Sequence, residues 1–253
     1  TMVDIDAVEH HFSACCSADR ELRAASGLRY LGRDEASSFR KLDPEQFRSI
    51  LNPAELVGAF ETTEYAIDPR PVAERLRAAV LAEPRITFHG GCRVDRVERV
   101  NGRGFVVSFT HDAPGRSGPY DQVVNALWDG RLAIDHTLGI APGRTWIFRH
   151  KFGNRVSVAL KPSDLPSVTM VLGPFGDIVN FGSAGFYLSW YPFGMVATSH
   201  DMQPAPGWPH LDEAERMDVF ARSFEQWSTY CPQLRHLGFS RDQVDPSCGV
   251  IFA

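Results

Sequence analysis

The sequence lacks the features that mark membrane-spanning and nucleic-acid-binding proteins. In its 253 residues no apolar run approaches the roughly 18 residues that are needed to cross a bilayer. Lysine and arginine number 26 against 31 aspartates and glutamates, so the net charge of -5 includes no basic excess that would attract phosphates. The amino-terminal residues also lack a basic start followed by an apolar stretch. We therefore expect a soluble, cytoplasmic protein whose partner is a small molecule, not a nucleic acid or a membrane.

Several kinds of site are also missing from the sequence. The five cysteines are odd in number and show no CxxC spacing, which speaks against a disulfide framework and a zinc ribbon. His11 and Cys15 are four residues apart and could share one helix face, but nothing nearby supplies the remaining ligands, so we expect no metal. Neither G-x-x-x-x-G-K-[ST] nor G-x-S-x-G occurs, which argues against a P-loop nucleotide hydrolase and a serine hydrolase.

The first half of the sequence carries clear helix signals. Residues 3–26 place apolar side chains at three- and four-residue spacing and end at Gly27, which predicts an amphipathic helix with a glycine stop. The dipeptides Asp-Pro at 43–44 and Asn-Pro at 52–53 each predict a short capped helix.

A third Asp-Pro pair predicts a longer helix. Asp68 would cap it, Pro69 would open it, and Pro84 would end it. We expect Val72 and Leu76 to face inward from this helix, because they lie on one face at four-residue spacing.

Apolar runs after this helix predict strands. The runs are residues 86–88, 105–109 and 123–126. The second of them is expected in a hairpin around the turn sequence NGRG, and the third reads as a strand buried on both faces. Helix, strand, hairpin and buried strand in this order indicate an α/β arrangement.

The second half of the sequence has a different pattern. Short runs rich in aromatic and β-branched residues alternate with Gly, Pro, Asn and Asp, which is typical of antiparallel strands. One amphipathic helix, with Phe220 and Trp227 on its apolar face, is expected to pack on that sheet. The sequence therefore predicts an α/β protein, α+β overall, in two domains: residues 1–139 with a partial Rossmann-like layer, and residues 140–253 with an antiparallel β-sheet.

Three stretches of the sequence carry a family resemblance. They are FETTEYAIDPRPVAERLRAAVLAEPRITFHGGCRVDRVERV, DQVVNALWDGR, and SVTMVLGPFGDIVNFG with FYLSWYP. Together they resemble FAD-dependent oxidoreductases of the D-amino-acid oxidase class over roughly residues 25–250. The resemblance implies FAD as cofactor and a Rossmann-like FAD-binding layer. The family's G-x-G-x-x-G turn, which opens a helix at the FAD pyrophosphate, does not occur in this chain.

The resemblance implies four residues at the cofactor. Val94, in the segment RVDRV, matches a position that receives the adenine through its backbone. Asn125, Ala126 and Trp128 match a segment that ends beside the pyrophosphate and ribityl chain. Each also has an ordinary structural interpretation, because a hairpin valine packs inward and a tryptophan often anchors a core.

The resemblance also implies residues at the substrate. By position in the antiparallel domain these are Arg149, Lys151, Tyr187, Trp190 and Tyr191, where a cation would bind a carboxylate and aromatic rings would line the pocket. On an antiparallel sheet, half of the side chains face water, so a surface position for the arginine or lysine is the alternative. No catalytic acid–base pair is expected, because hydride transfer to a flavin takes place on the cofactor.

Two functions are left open by the sequence. One is an FAD-dependent oxidoreductase that acts on a small amine, amino acid or sugar-derived substrate by hydride transfer to flavin. The other is a non-catalytic remnant or ligand-binding protein with the same fold. In either case a sheet without its first parallel strand would expose an edge, so we expect the chain to self-associate.

Overall fold

The computed structural model describes residues 4–100, 102, 104–170, 176–204 and 209–253. Its α-helices are α1 (Ile5–Ser26), α2 (Pro44–Phe47), α3 (Pro69–Ala82), α4 (Arg131–Thr137), α5 (Tyr191–Gly194) and α6 (Glu213–Tyr230). Its strands are β1 (Phe39–Leu42), β2 (Ala59–Thr62), β3 (Arg93–Arg99), β4 (Phe105–Thr110), β5 (Pro114–Tyr120), β6 (Phe148–Val156), β7 (Val168–Thr169), β8 (Asp177–Asn180), β9 (Phe186–Leu188), β10 (Met195–Ser199) and β11 (Val244–Phe252).

The chain divides into two compact units, and neither is continuous in sequence. Unit 1 consists of Thr1–Ile67, Phe152–Gly194 and Asp212–Ser247. Unit 2 consists of Asp68–Lys151, Met195–Leu211 and Cys248–Ala253.

The helix α1 of unit 1 begins and ends where its sequence signals lie. The Asp4 carboxylate accepts a hydrogen bond from the Asp6 backbone N–H at 3.1 Å, and Gly27 ends the helix with a φ of 67°. A positive φ suits glycine because it has no Cβ to clash with the preceding turn. The amphipathic helix predicted for residues 3–26 is confirmed, and so is the short helix α2 after Asp43. The helix predicted at 52–53 is wrong, since a turn follows Asn52.

Unit 1 buries its core between an antiparallel sheet and α6. The second half of β6 pairs with β9, β9 pairs with β8, and β8 pairs with β7. The core consists of large apolar side chains from these strands and from α2, α6 and the segments between them: Phe47, Leu51, Val156, Leu165, Ile178, Phe186, Leu188, Trp190, Phe220, Trp227, Cys231 and Leu234. The antiparallel sheet with a packing helix is therefore confirmed.

Tryptophan at the centre of this core is anchored by a hydrogen bond. Trp227 is fully buried, and its indole N–H donates to the Ser189 backbone carbonyl at 2.7 Å. Its ring lies edge-on to Trp190, with ring centroids 5.8 Å apart. The polar atom of the indole is thus satisfied, which is the condition for burying so large a side chain at no cost in lost hydrogen bonds.

Unit 2 contains a three-stranded antiparallel sheet in the order β3-β4-β5. The hairpin of β3 and β4 confirms the predicted one, although Asn101 and Arg103 of its turn lie outside the described residues. The Thr137 hydroxyl, at the end of α4, accepts from the backbone N–H of Val97 at 3.1 Å, and its single proton is shared between the carbonyls of Ile134 at 2.7 Å and Val97 at 3.0 Å. These bonds fix α4 against β3.

The helix α3 of unit 2 forms as expected but does not pack as expected. Asp68 caps it by accepting from the Arg70 backbone N–H at 3.1 Å, and Pro69 opens it. However, none of its residues is buried: Val72 is 43% exposed and Leu76 is 63% exposed. The prediction that these two side chains face inward is wrong, because no described part of the chain covers them.

Two predicted strands of unit 2 are also absent. Residues 86–88 and 123–126 lie outside every described strand, and Val124 is 87% exposed. Both runs have the composition of buried strands, but a strand requires a neighbour that exchanges backbone hydrogen bonds with it. Neither run has such a neighbour among the described residues.

The strand pairs between described residues are antiparallel, so the fold is a mixture of helices and antiparallel sheets of the α+β type. No parallel pair is found in the described ranges, and the Rossmann-like layer stays a prediction. Within the same ranges, none of the helices has the length and apolar character needed to cross a membrane.

Candidate functional site

The candidate site lies in unit 2, in the turn that follows residues 123–126. The Asn125 side-chain amide donates to the Arg131 backbone carbonyl at 3.0 Å and to the Asp135 carboxylate at 2.8 Å. Its side-chain oxygen accepts from the Leu127 backbone N–H at 3.3 Å. Asn125 thereby ties the turn to α4, and its hydrogen-bonding capacity is largely used within the chain.

Trp128 is the most unusual residue of this turn. Its φ of 30° makes it the one non-glycine residue with a positive φ among the described residues. The ring is 60% exposed, and its indole N–H donates to the Val250 backbone carbonyl at 2.7 Å. Positive φ is costly for a bulky residue, and such strain is concentrated at functional sites. Trp128 therefore holds an exposed aromatic ring in a fixed position on unit 2.

The neighbouring positions are open to solvent. Ala126 is exposed and Leu127 is 40% exposed, so the turn offers accessible backbone and apolar surface to a ligand. Val94 lies elsewhere in unit 2, on β3, where it pairs with Phe109 beside an irregularity in the strand register. It is half-buried, in agreement with either of the roles considered for it.

The proposed substrate-binding cations are both on β6. Arg149 is half-buried, whereas Lys151 is buried. Between them, His150 is almost fully buried, and burial lowers its pKa despite the opposing charge of Asp129. His150 was not predicted as a site residue, because a histidine in a strand is more often structural than catalytic. Its burial follows from the alternation of β6, in which it shares one face with Phe148 and Phe152.

The remaining predicted residues lie in unit 1. Tyr187, on β9, is half-buried, and burial raises the pKa of its phenol. Gly153 of β6 lies beneath this ring, and a Cβ at that position would clash with it. Trp190 is a core residue that stacks on Tyr230 with centroids 5.6 Å apart, and Tyr191 opens the short helix α5.

The structure thus groups the predicted residues by unit. The four cofactor residues Val94, Asn125, Ala126 and Trp128 all belong to unit 2, and three of them share one turn. The five substrate residues divide between unit 2, which holds the two cations, and unit 1, which holds the three aromatic residues.

A dinucleotide such as FAD needs more than this turn offers. The phosphates of such cofactors bind at a glycine-rich turn that opens a helix, and the chain contains no such turn. The exposed Trp128 ring and the open backbone at Ala126 fit contact with a planar or apolar part of a ligand. The residues present therefore fit one side of a cofactor site but supply no phosphate-binding turn.

Neither a metal site nor a comparison with known proteins identifies the function of this chain. In the parts of the chain that the structure describes, no group of three or more His, Cys, Asp and Glu side chains is placed to hold a metal ion. The predicted pair His11 and Cys15 lies on α1, with Nε2 and Sγ 3.7 Å apart. Comparisons with protein-family models, with curated proteins and with solved structures give no match.

Proposed function

We propose that the chain is part of an FAD-dependent oxidoreductase of the D-amino-acid oxidase class, which oxidises a small amine, amino acid or sugar-derived substrate by hydride transfer to flavin. The proposal rests on the resemblance of three stretches of sequence to that class. It is supported by the turn at residues 125–128, where an exposed tryptophan is held in a strained conformation. On this proposal Trp128 and Ala126 face the cofactor, while Arg149 and Lys151 act on the substrate.

A Rossmann-like layer is part of the same proposal. Two features favour this layer: the solvent-exposed apolar side chains of α3, and the two strand-like runs at residues 86–88 and 123–126. A helix rich in valine, alanine and leucine and two apolar runs have the composition of a parallel sheet with a covering helix. We propose that an additional strand pairs with these runs when the FAD-binding layer is complete. A cytoplasmic location also belongs to the proposal, because Cys15, Cys16, Cys92 and Cys231 are free thiols.

One observation favours a second function, a non-catalytic protein that binds a ligand. The side chain of Asn125 is committed to Arg131, Asp135 and Leu127, which leaves it little capacity for a pyrophosphate or a ribityl chain. Combined with the missing phosphate-binding turn, this fits a chain that retains the fold without the chemistry.

Titration with FAD separates the two functions. On the first proposal, the purified chain quenches the fluorescence of added FAD, and the Trp128→Leu variant loses most of that quenching because its aromatic contact is gone. Trp146→Leu is the matched control, since the Trp146 indole N–H also donates to a backbone carbonyl within unit 2, that of Asp201 at 3.0 Å. A wild-type chain that leaves FAD fluorescence unchanged favours the non-catalytic protein.

A further inference from the structure

Unit 1 contains a small cavity that neither proposed function uses. Its volume is about 220 Å3, and it lies between the end of α1 and the loop that leads to β1. Seven of the eight residues around it are polar or charged, among them Arg23, Tyr30, Arg33, Ser37, Ser38 and Thr63, and carbon atoms form much of its wall. A cavity with this lining suits a small ligand that has both a polar group and a short apolar part.

One wall of the cavity is fixed by Arg23. Its guanidinium donates to the backbone carbonyls of Arg33, Asp34 and Glu35 at 3.0, 3.2 and 2.6 Å. It also forms an ion pair with Asp19 at 3.0 Å, so its charge is compensated. Four of the five guanidinium N–H groups of Arg23 are thus used within the chain, and this cation holds the loop in one shape.

Arg33 differs from Arg23 in having no carboxylate partner among the described residues. One of its terminal nitrogens, Nη1, donates to the Thr63 backbone carbonyl at 2.8 Å, and its guanidinium carbon lies 3.6 Å from the centre of the Tyr65 ring. Its Nε is shielded from solvent and has no hydrogen-bond acceptor in the described part of the chain. A partly buried cation with an unsatisfied N–H is unfavourable unless an anion or an acceptor reaches it.

We propose that this cavity binds the carboxylate of a small organic acid, with Arg33 as its cation. The Nε and Nη2 edge of a guanidinium matches the two oxygens of a carboxylate, which it binds through two parallel hydrogen bonds. The hydroxyls of Ser37, Ser38 and Thr63 offer further polar contacts at the cavity wall.

Negative charge near the cavity selects a monoanion over a phosphate. Glu35 lines the cavity, and Glu64 accepts a hydrogen bond from the Tyr30 hydroxyl at 2.8 Å. A dianion would be repelled by these two carboxylates more strongly than a single carboxylate.

Size and access are consistent with a small acid. At about 30 Å3 for each water, the cavity has room for an acid of a few carbon atoms together with some water. Arg33 Nε is shielded from solvent in this conformation, so a shift of the Arg33 side chain, which stacks on the exposed ring of Tyr65, is the movement that would bring Nε to a ligand in the cavity. The inference depends on unit 1 alone and is independent of flavin binding.

Binding of acetate, formate, phosphate and sulfate to the full chain tests the proposal. Isothermal titration is carried out with chloride at matched ionic strength as the reference. We expect acetate and formate to bind and phosphate and sulfate to bind at least tenfold more weakly. The Arg33→Gln variant should bind acetate at least tenfold more weakly than wild type, because the paired hydrogen bonds and the charge are both lost. Arg48→Gln is the matched control, since Arg48 forms an exposed ion pair with Glu45 in the same unit.

Several results would overturn the proposal. Equal responses to all four anions would indicate an ionic-strength effect, and unchanged acetate binding by Arg33→Gln would remove Arg33 from the site. If Arg33→Gln does not unfold cooperatively, Arg33→Lys replaces it: lysine keeps the charge but lacks the planar fork, so acetate binding should again weaken at least tenfold. Undiminished binding by Arg33→Lys would refute paired recognition of the carboxylate.

Discussion

The strained backbone at Trp128 predicts an inversion of the usual order of glycine and alanine. Two variants, Trp128→Gly and Trp128→Ala, both remove the indole ring and its hydrogen bond to the Val250 carbonyl, so these losses cancel between them. They differ only in a Cβ at a residue whose φ is 30°. The difference in their free energies of unfolding therefore measures the cost of that Cβ.

The magnitude follows from two opposing contributions. A left-handed backbone costs a residue with a Cβ roughly 1–2 kcal/mol. Glycine, in turn, loses about 0.4–1 kcal/mol relative to alanine because its unfolded chain has more conformations to give up. We expect the first contribution to win, so Trp128→Gly should be more stable than Trp128→Ala by about 0.8 kcal/mol, the midpoint of a range from about 0 to about 1.6 kcal/mol.

Val57 provides the matched control. It is exposed, lies outside helices and strands, and is not among the described residues with a positive φ. At this position Val57→Gly should be less stable than Val57→Ala by about 0.4–1 kcal/mol. Urea unfolding measures both differences, provided that the slope m is the same within each pair. If Trp128→Ala proves as stable as Trp128→Gly, the argument from strain is refuted.

Three further outcomes are expected. Burial lowers the pKa of His150 below its ordinary value of 6.5, so as the pH falls the imidazole is protonated in the unfolded chain before it is protonated in the folded chain. The free energy of unfolding of the wild type, measured with urea, should therefore fall more between about pH 7 and pH 5 than that of His150→Gln. Leu76→Glu should reduce self-association in sedimentation velocity far more than Leu22→Glu, a substitution at a similarly exposed leucine of α1; a wild-type chain that stays monomeric at high concentration would contradict this. Burial also raises the pKa of the Cys231 thiol to about 11, so iodoacetamide at about pH 8 should alkylate exposed Cys15 and spare Cys231 until urea is added, as mass spectrometry would show.

Helix ends were predictable from sequence because their causes are local. The carboxylates of Asp4 and Asp68 accept from backbone N–H groups two residues further on, and Gly27 takes a φ that other residues avoid. Each of these signals involves only neighbouring residues. The face of α6 that carries Phe220 and Trp227 was predictable for a similar reason, since periodic spacing alone places both on one side.

Strands were harder to predict because a strand depends on a partner that its own residues do not specify. The run at 123–126 and the run in β4 are both apolar and β-branched, but only β4 has neighbours, β3 and β5, on both sides. In the same way, β10 has no distinctive composition and becomes a strand because it pairs with β6. Composition shows that a run can form a strand, while pairing decides whether it does.

The exposed apolar face of α3 and the runs at 86–88 and 123–126, which pair with no described strand, are best explained by a single cause. Independent explanations would require an amphipathic helix without a core to cover, and two strand-like runs without a sheet, all within unit 2. One additional strand beside either run would satisfy backbone groups, and the resulting sheet would give α3 a surface on which to bury Val72 and Leu76. The same pairing would hold residues 123–126 in a fixed direction immediately before Trp128, whose ring is already fixed to Val250. On the proposal that such a strand pairs there, the cofactor site and the exposed apolar surface depend on the same contact, and a change that supplies it should reduce self-association and increase ligand binding together.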